Sequence, residues 1–281
     1  MNKTNHSEGA HKISPSLKSL PVDLHIHTTF SPDSAVPAER ACRAAVARGL
    51  DIIGFSDHVE FRKEDEAFVE LYRAEEIRAE LLRLRSLYEG RLEILYGVEI
   101  GFIPGKEEEI RAFLDAHPFD YAIGSVHYVE DVLVSRWIRM TEEEGKSFSP
   151  YYEALLGAAQ SGLFQILGHL DYIRKYMYYP QGYSPHDYDK LTEEILEAAV
   201  KSGMAVELNT SGWRHYTEEP YPAEEILGSL ASKGGRTTYG SDAHKYYDIG
   251  YASKRALELL KEQGFKTLDI FRQRKRETLD I

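Results

Sequence analysis

The residues best suited to chemistry recur as short acid and imidazole motifs. His25 and His27 stand one residue apart, Asp242 and His244 repeat that spacing near the other end of the chain, and His58, Glu99, His127 and His169 fall between them. On an extended strand alternate side chains share a face, so a His-X-His pair presents two imidazoles to one point. Such a pair can hold one metal ion. A carboxylate such as Glu99, with two oxygens, is the natural bridge between two ions. Nitrogen and oxygen donors without a thiolate suit Zn, Mn or Fe better than Ca. Cys42 is the single cysteine, so no disulfide forms within the chain and a thiolate-based site is not expected. It sits among alanines and reads as a small helix residue.

These motifs need elements that bring them together. From residue 22 onward short apolar runs alternate with longer amphipathic ones. Strands are predicted at 22–26, 51–55, 92–98, 121–124, 164–167, 204–208 and 237–239. Helices are predicted at 37–48, 74–88, 106–116, 151–160, 188–201, 223–233 and 253–262. Several strand candidates are apolar on both faces, as in Ile52-Ile53 and Ile94-Leu95-Tyr96, which suits a parallel sheet covered by helices. The first helix opens on a proline, tolerated in a first turn, and stops before Gly49. Seven strand–helix units without a break in composition predict one α/β domain of (β/α) barrel type over residues 21–281. A flexible polar tail is expected at 1–20. A doubly wound open sheet is the structural alternative, but no Gly-rich nucleotide fingerprint follows any strand. The acidic run Glu142-Glu143-Glu144 reads as a solvated loop or helix face.

In parallel α/β folds functional groups gather at the C-terminal ends of the strands. The predicted strands lead there into His25-Ile26-His27, Ser56-Asp57-His58, Glu99, Ser125-Val126-His127, Gly168-His169, Glu207-Leu208-Asn209 and Ser241-Asp242-Ala243-His244. Six of the 11 histidines lie on this one edge. A lone buried histidine is more often a hydrogen-bonded core residue than a ligand, and His117, far from the edge, is read that way. His6, His11, His186 and His215 read as tail or loop residues, with His215 close enough to the edge for substrate contact. The joint placement of the other six favours a metal site. Asp23 and Asp57 neighbour histidine ligands and are expected to orient imidazole rings rather than to bind metal.

The chain has 281 residues, 42% hydrophobic and 28% charged, which is enough to bury the core of one large barrel. Its formal net charge of -12 argues against duplex nucleic acid as a partner. A phosphorylated substrate remains compatible, because bound cations reverse the local sign of a site. Residues 1–20 lack the apolar core of a signal peptide, and no stretch approaches the length of a membrane-spanning helix. A cytoplasmic location without a membrane partner is expected.

Taken in order, His25-X-His27, Asp57-His58, Gly-Val-Glu99, Ser-Val-His127, Gly-His169 and Ser-Asp242-Ala-His244 resemble the PHP (polymerase and histidinol phosphatase) superfamily over about residues 22–250. Gly-His169-Leu-Asp171-Tyr-Ile-Arg174-Lys175, Glu207-Leu-Asn209-Thr-Ser-Gly212-Trp-Arg214 and the Asp248-Ile-Gly250-Tyr segment look like its histidinol-phosphatase branch. The resemblance implies a distorted (β/α)7 TIM-like barrel that holds three divalent ions. His25, His27, Glu99 and Asp242 would hold the first ion. Glu99, His127 and His169 would hold the second, and His58, His244 and Asp33 the third. Asp33 replaces a histidine found in some members, which makes that position harder and more anionic.

The implied reaction is hydrolysis of L-histidinol phosphate to L-histidinol and phosphate, a step of histidine biosynthesis. Bridging ions lower the pKa of a bound water, so hydroxide is available at neutral pH to attack phosphorus. Asp242 or His244 can relay a proton. Arg174 is expected to clamp the phosphate, with Arg214, Lys175 and Asn209 as further substrate contacts. Tyr172, Trp213, Glu60 and Asp171 are candidates to meet the amine and imidazole of the alcohol. The alternatives are a phosphoesterase of this family acting on another small ester or nucleotide, and a catalytically silent barrel module. A proofreading nuclease is disfavoured by the lack of a basic groove, and an amidohydrolase-like enzyme by the lack of a lysine at the first six strand ends.

Overall fold

Short apolar strands, each followed by a helix with one apolar face, wind into a barrel of seven parallel strands in the computed structural model, which describes residues 19–176 and 185–281. The expected tail falls almost wholly outside the described residues. In chain order the strands are β1 (Val22–Ile26), β2 (Ile52–Phe55), β3 (His58–Val59), β4 (Glu93–Gly101), β5 (Tyr121–Ser125), β6 (Tyr128–Val129), β7 (Val132–Leu133), β8 (Ile166–Leu167), β9 (Ala205–Asn209), β10 (Arg236–Gly240), β11 (Thr267–Arg272) and β12 (Lys275–Asp280). The helices are α1 (Ala38–Ala47), α2 (Ala74–Leu87), α3 (Glu107–Ala116), α4 (Val134–Glu144), α5 (Ser149–Gln160), α6 (Asp189–Ser202), α7 (Glu224–Ser232) and α8 (Ser253–Glu262).

The strand order is β1-β2-β4-β5-β8-β9-β10, so every predicted strand lies in the barrel, in sequence order. The longest strand, β4, is buried over eight of its nine residues and overruns its neighbours. It pairs first with β2 and then with β3, whose register sets His58 beside Glu99. Near the middle of the barrel Tyr121 fills the space that side chains at Gly54 and Gly97 would occupy. Its hydroxyl donates to the Leu24 carbonyl at 2.6 Å. That carbonyl lies within the register irregularity that separates Asp23 from Ile26 on β1.

Closure between β10 and β1 relies on few backbone bonds. Ala243 accepts from the His27 amide at 3.0 Å and donates to the His25 carbonyl at 3.1 Å. Lower in the seam the Asp23 carboxylate replaces a ladder. It accepts from Ser241 N at 2.9 Å, Ser241 Oγ at 2.5 Å and Gly250 N at 2.8 Å. This corrects the expectation that Asp23 orients an imidazole. Burial raises its pKa, and these hydrogen bonds counter that rise.

Two features outside the predicted set complete the fold. Helix α4 buries Val134, Trp137, Ile138 and Thr141, a helical spacing within an otherwise polar stretch. The acidic run lies in its last turn. After α8 the chain forms the antiparallel hairpin β11–β12, which packs against β10. Its turn residues Gln273 and Arg274 both have positive φ without being glycine or asparagine, so the usual hairpin signal is missing. Among the described residues no helix is long and apolar enough to cross a membrane.

Replacing Asp23 by Ala leaves the Ser241 and Gly250 donors unpaired in a buried seam. We expect a loss of about 3–5 kcal/mol, read as a lowered urea midpoint at constant slope.

Candidate metal centre

All nine side chains singled out as metal ligands meet at the C-terminal mouth of the barrel. Strand ends and the turns after them deliver His25, His27, His58, Glu99, His127, His169, Asp242 and His244, and the loop after β1 delivers Asp33. Glu99 is 1% exposed and its two oxygens face different partners. Oε2 lies 3.1 Å from His25 Nε2, 3.4 Å from His27 Nε2 and 3.1 Å from His58 Nδ1. Oε1 lies 3.0 Å from His169 Nε2 and 3.3 Å from His127 Nε2, and it accepts from Ser125 Oγ at 2.6 Å.

Asp242 completes the deep end, with Oδ1 3.5 Å from His27 Nε2 and 3.9 Å from His25 Nε2. Farther out, Asp33 Oδ2 lies 2.9 Å from His244 Nε2 and 3.3 Å from His58 Nε2. Three sets of donor atoms converge within 4.8 Å: His25, His27 and Glu99; His58, Glu99 and His127; and His27, Asp33, His58 and His244. His58 therefore stands between the second and third groups implied by the resemblance, and His27 between the first and third.

The donor set fits metal ions for a specific reason. His25 Nε2, His27 Nε2, His58 Nδ1 and Glu99 Oε2 are buried and lack a hydrogen-bond partner. Buried polar atoms normally find one, and here they are aimed at one another. For the carboxylates and His27 the electrostatics agrees. Burial opposes charge on Glu99, but the imidazoles of His25, His58 and His127 hold its pKa well below the usual carboxylate value. Asp242 is held down in the same way by His25, His27 and His244. Burial, reinforced by His244 and His58, lowers His27 to about 3, which keeps its imidazole neutral as a ligand must be. Burial also opposes charge on His25, but Glu207, Glu99 and Asp242 outweigh it and raise its pKa.

The surrounding residues fix ring orientation, and sequence reasoning had missed the two main ones. His25 Nδ1 donates to Glu207 Oε1 at 2.6 Å, and His127 Nδ1 to Glu60 Oε1 at 2.6 Å. The available signal for Glu207 was a carboxylate within a strand that is otherwise apolar until Asn209. Asp57 acts one step removed. It accepts from Thr28 and from Ser31 Oγ, and that hydroxyl lies 3.2 Å from His27 Nδ1.

The expected substrate contacts divide. A cavity of about 390 Å³ opens over the ligand cluster and is lined besides by Asp65, Tyr128, Leu133, Tyr172, Lys175 and Tyr176. Of the four expected contacts Arg174, Arg214, Lys175 and Asn209, Lys175 lines it. Arg174 lies between Asp171, at 2.7 Å, and Glu219. Arg214 donates to the carbonyls of Ser241 and Asp242, each at 3.0 Å. It thereby braces Asp242, whose φ of 52° is left-handed. Asn209 donates to Glu207 Oε2 at 3.0 Å and accepts from Ser211 N at 3.0 Å.

Of the four side chains considered for the amine and imidazole, Tyr172 and Glu60 line the cavity. Asp171 is turned to Arg174 and the Ala223 amide, and Trp213 is covered by Arg255. His117 packs against Phe113, away from the site, as expected. His186 is exposed beside Asp189, and His215 does not line the cavity. His6 and His11 lie outside the described residues. Cys42 is buried in α1, with its thiol pushed up to about 12 by burial.

The PHP domain family model matches residues 23–211. A Deinococcus radiodurans protein named "Probable histidinol-phosphatase" is 31% identical over 261 residues, 90% of this chain and 97% of that one. The "Histidinol-phosphatase" of Lactococcus lactis is 28% identical over 89% of this chain and 94% of its own. A crystal structure of histidinol phosphate phosphatase from Lactococcus lactis, complexed with Zn, L-histidinol and phosphate, superimposes with a TM-score of 0.80. It is 28% identical and covers 93% of this chain and 100% of that one.

Chelation should lower Tm, and returning Zn or Mn should restore it in proportion to concentration. Each site saturated at about 100 times its Kd adds about 2.7 kcal/mol. A Tm indifferent to chelator and metal would refute ion binding at this cluster.

Proposed function

Because the chain belongs to the PHP domain family, we propose that it hydrolyses L-histidinol phosphate to L-histidinol and phosphate at the mouth of the barrel. The observation that carries this reading is the match, over 93% of this chain, to a phosphatase structure complexed with Zn, L-histidinol and phosphate, in a chain whose own mouth gathers nine acid and imidazole side chains. This is one step of histidine biosynthesis.

Three divalent ions, Zn, Mn or Fe, are assigned to the cluster. His25, His27, Glu99 and Asp242 take the first, Glu99, His127 and His169 the second, and Asp33, His58 and His244 the third. When bound, they supply Lewis-acid activation of water and neutralise phosphate charge at neutral pH. The third set is the most open, with Asp33 at 51% and His244 at 29% side-chain exposure against 0% for His25 and His27. Its ion is expected to leave first under chelation.

The protein's own groups orient and protonate. Lys175 sits 4.6 Å from the centre of the Tyr172 ring and donates to that hydroxyl at 2.8 Å, so its ammonium is held at the cavity wall. It is assigned to an outward oxygen of the phosphate. Arg174 joins it only by exchanging Glu219, its exposed partner, for phosphate. Asp242 Oδ2 has a 3.3 Å hydrogen bond from Ser211 Oγ and is assigned to carry a proton toward the leaving oxygen, with His244 beside it. Asp65 is the lining carboxylate that is neither an assigned ligand nor bonded to one. It faces the cavity beside Tyr128 and suits the ammonium of the alcohol.

The test is phosphate release from histidinol phosphate and from a panel of phosphomonoesters and a nucleotide diester, after loading with Zn or Mn. Strong preference for histidinol phosphate supports the reading. Broad or diester-directed activity would move the substrate, and silence of folded, metal-loaded protein would favour a binding module. Lys175→Ala should raise KM about ten- to a hundredfold for all monoesters, whereas Asp65→Asn should raise it by a similar factor for histidinol phosphate alone.

A further inference from the structure

We propose that Glu60 is a positioning residue for the second metal position, and that Gly101 is glycine because the Glu60 carboxylate rests on it. The proposal relies on the assignment of His127 as a metal ligand. Glu60 is 4% exposed and lies on the loop after β3, outside the barrel strands. Its Oε1 accepts a hydrogen bond from His127 Nδ1 at 2.6 Å. A neutral imidazole that donates its Nδ1–H to a carboxylate keeps a lone pair on Nε2, and the bond fixes the ring's orientation. In His127 that Nε2 is the atom that faces Glu99.

The carboxylate has an unusual seat. A Cβ placed on Gly101 would lie 1.8 Å from Glu60 Oε2, 2.5 Å from Cδ and 2.6 Å from Oε1, so its three nearest neighbours are all atoms of that one group. Gly101 is the last residue of β4, two beyond Glu99, and its φ is not among the positive ones. Backbone conformation therefore does not demand glycine there, but the carboxylate does. Glu60 Oε2 is buried without a hydrogen-bond partner. A half-satisfied buried carboxylate is costly, and the His127 ring is the group that compensates it.

The construction occurs twice. Glu207 Oε1 accepts from His25 Nδ1 at 2.6 Å and lies 2.0 Å from where a Cβ on Gly240 would stand. Two imidazoles, assigned to different ions, are thus backed by carboxylates seated over strand-terminal glycines. His27 has only a serine hydroxyl behind it. Gly240 also abuts His25 Cβ, so Gly101 is the cleaner probe.

The experiment measures bound Zn per chain, at buffered free Zn, for the full chain and for Glu60→Gln, Gly101→Ala, His127→Ala and the double variant Glu60→Ala/Gly101→Ala beside Glu60→Ala. The Co-substituted visible spectrum is recorded alongside, and circular dichroism of the metal-free proteins monitors the fold. Glu60→Gln and Gly101→Ala should each weaken one ion about ten- to a hundredfold, the range for loss of an orienting partner, and perturb the same Co bands as His127→Ala. Adding Gly101→Ala to Glu60→Ala should cause no further loss, because the clash partner is gone. Wild-type affinity in both single variants, or full additivity in the double variant, overturns the proposal. Should His127→Ala itself retain every ion, the ligand assignment fails instead. If Gly101→Ala disturbs the fold, the Glu60→Gln spectrum and affinity still decide.

Discussion

A carboxylate buried among imidazoles is the constraint around which the rest of the structure is arranged. Glu99 sits at 1% exposure with His25, His27 and His58 against one oxygen and His127 and His169 against the other. Removing an anion from water is costly, and only close positive or metal charge offsets it. Five histidines have to arrive from four strand ends for that to hold. The length of β4 and the short strand β3 that pairs with its end meet this need, because they carry Glu99 beyond the end of β2 and set it beside His58.

Strand ends supply donors, but ring angles are set behind them. Glu207 and Glu60 hold the far nitrogens of His25 and His127, Ser31 holds His27, and Arg214 braces the peptide of Asp242. These supports belong to the barrel wall and its loops and form a hydrogen-bonded layer behind the ligands. The open face is different. Asp33 and His244 are partly exposed, and Lys175, Tyr172 and Asp65 line a cavity large enough for a small phosphate ester. The site grades from a buried end built to hold charge to an open end that admits substrate.

Barrel closure and ligand placement share atoms. The bonds that join β10 to β1 run through the backbone of His25, His27 and Ala243, and Asp23 ties the same seam from below. A protein of this design cannot loosen the seam without moving ligands from both strands. Tyr121, packed over two glycines and bonded to the Leu24 carbonyl, fixes the register of β1 from inside the barrel.

The seven strands, their succession along the chain and the edge at which chemistry collects were legible in the residues alone. Apolar runs of strand length separated by amphipathic helices point to a parallel sheet covered by helices, and eight of the acid and imidazole positions are legible because they fall at the ends of predicted strands, whereas Asp33, on a loop, was reached only through the resemblance. What tertiary structure decided is which groups stand behind the ligands. Glu60 and His127 lie 67 residues apart and Glu207 and His25 lie 182 apart, so neither pairing has any local signature. The same holds for Arg174 and Arg214, whose charge was visible in the sequence while their partners Asp171, Glu219 and the Ser241 and Asp242 carbonyls were not. The hairpin β11–β12 escaped because its turn lacks glycine. Periodicity records which face of an element is buried, whereas the partner of a buried polar group depends on where the chain returns, and only the closed barrel fixes that.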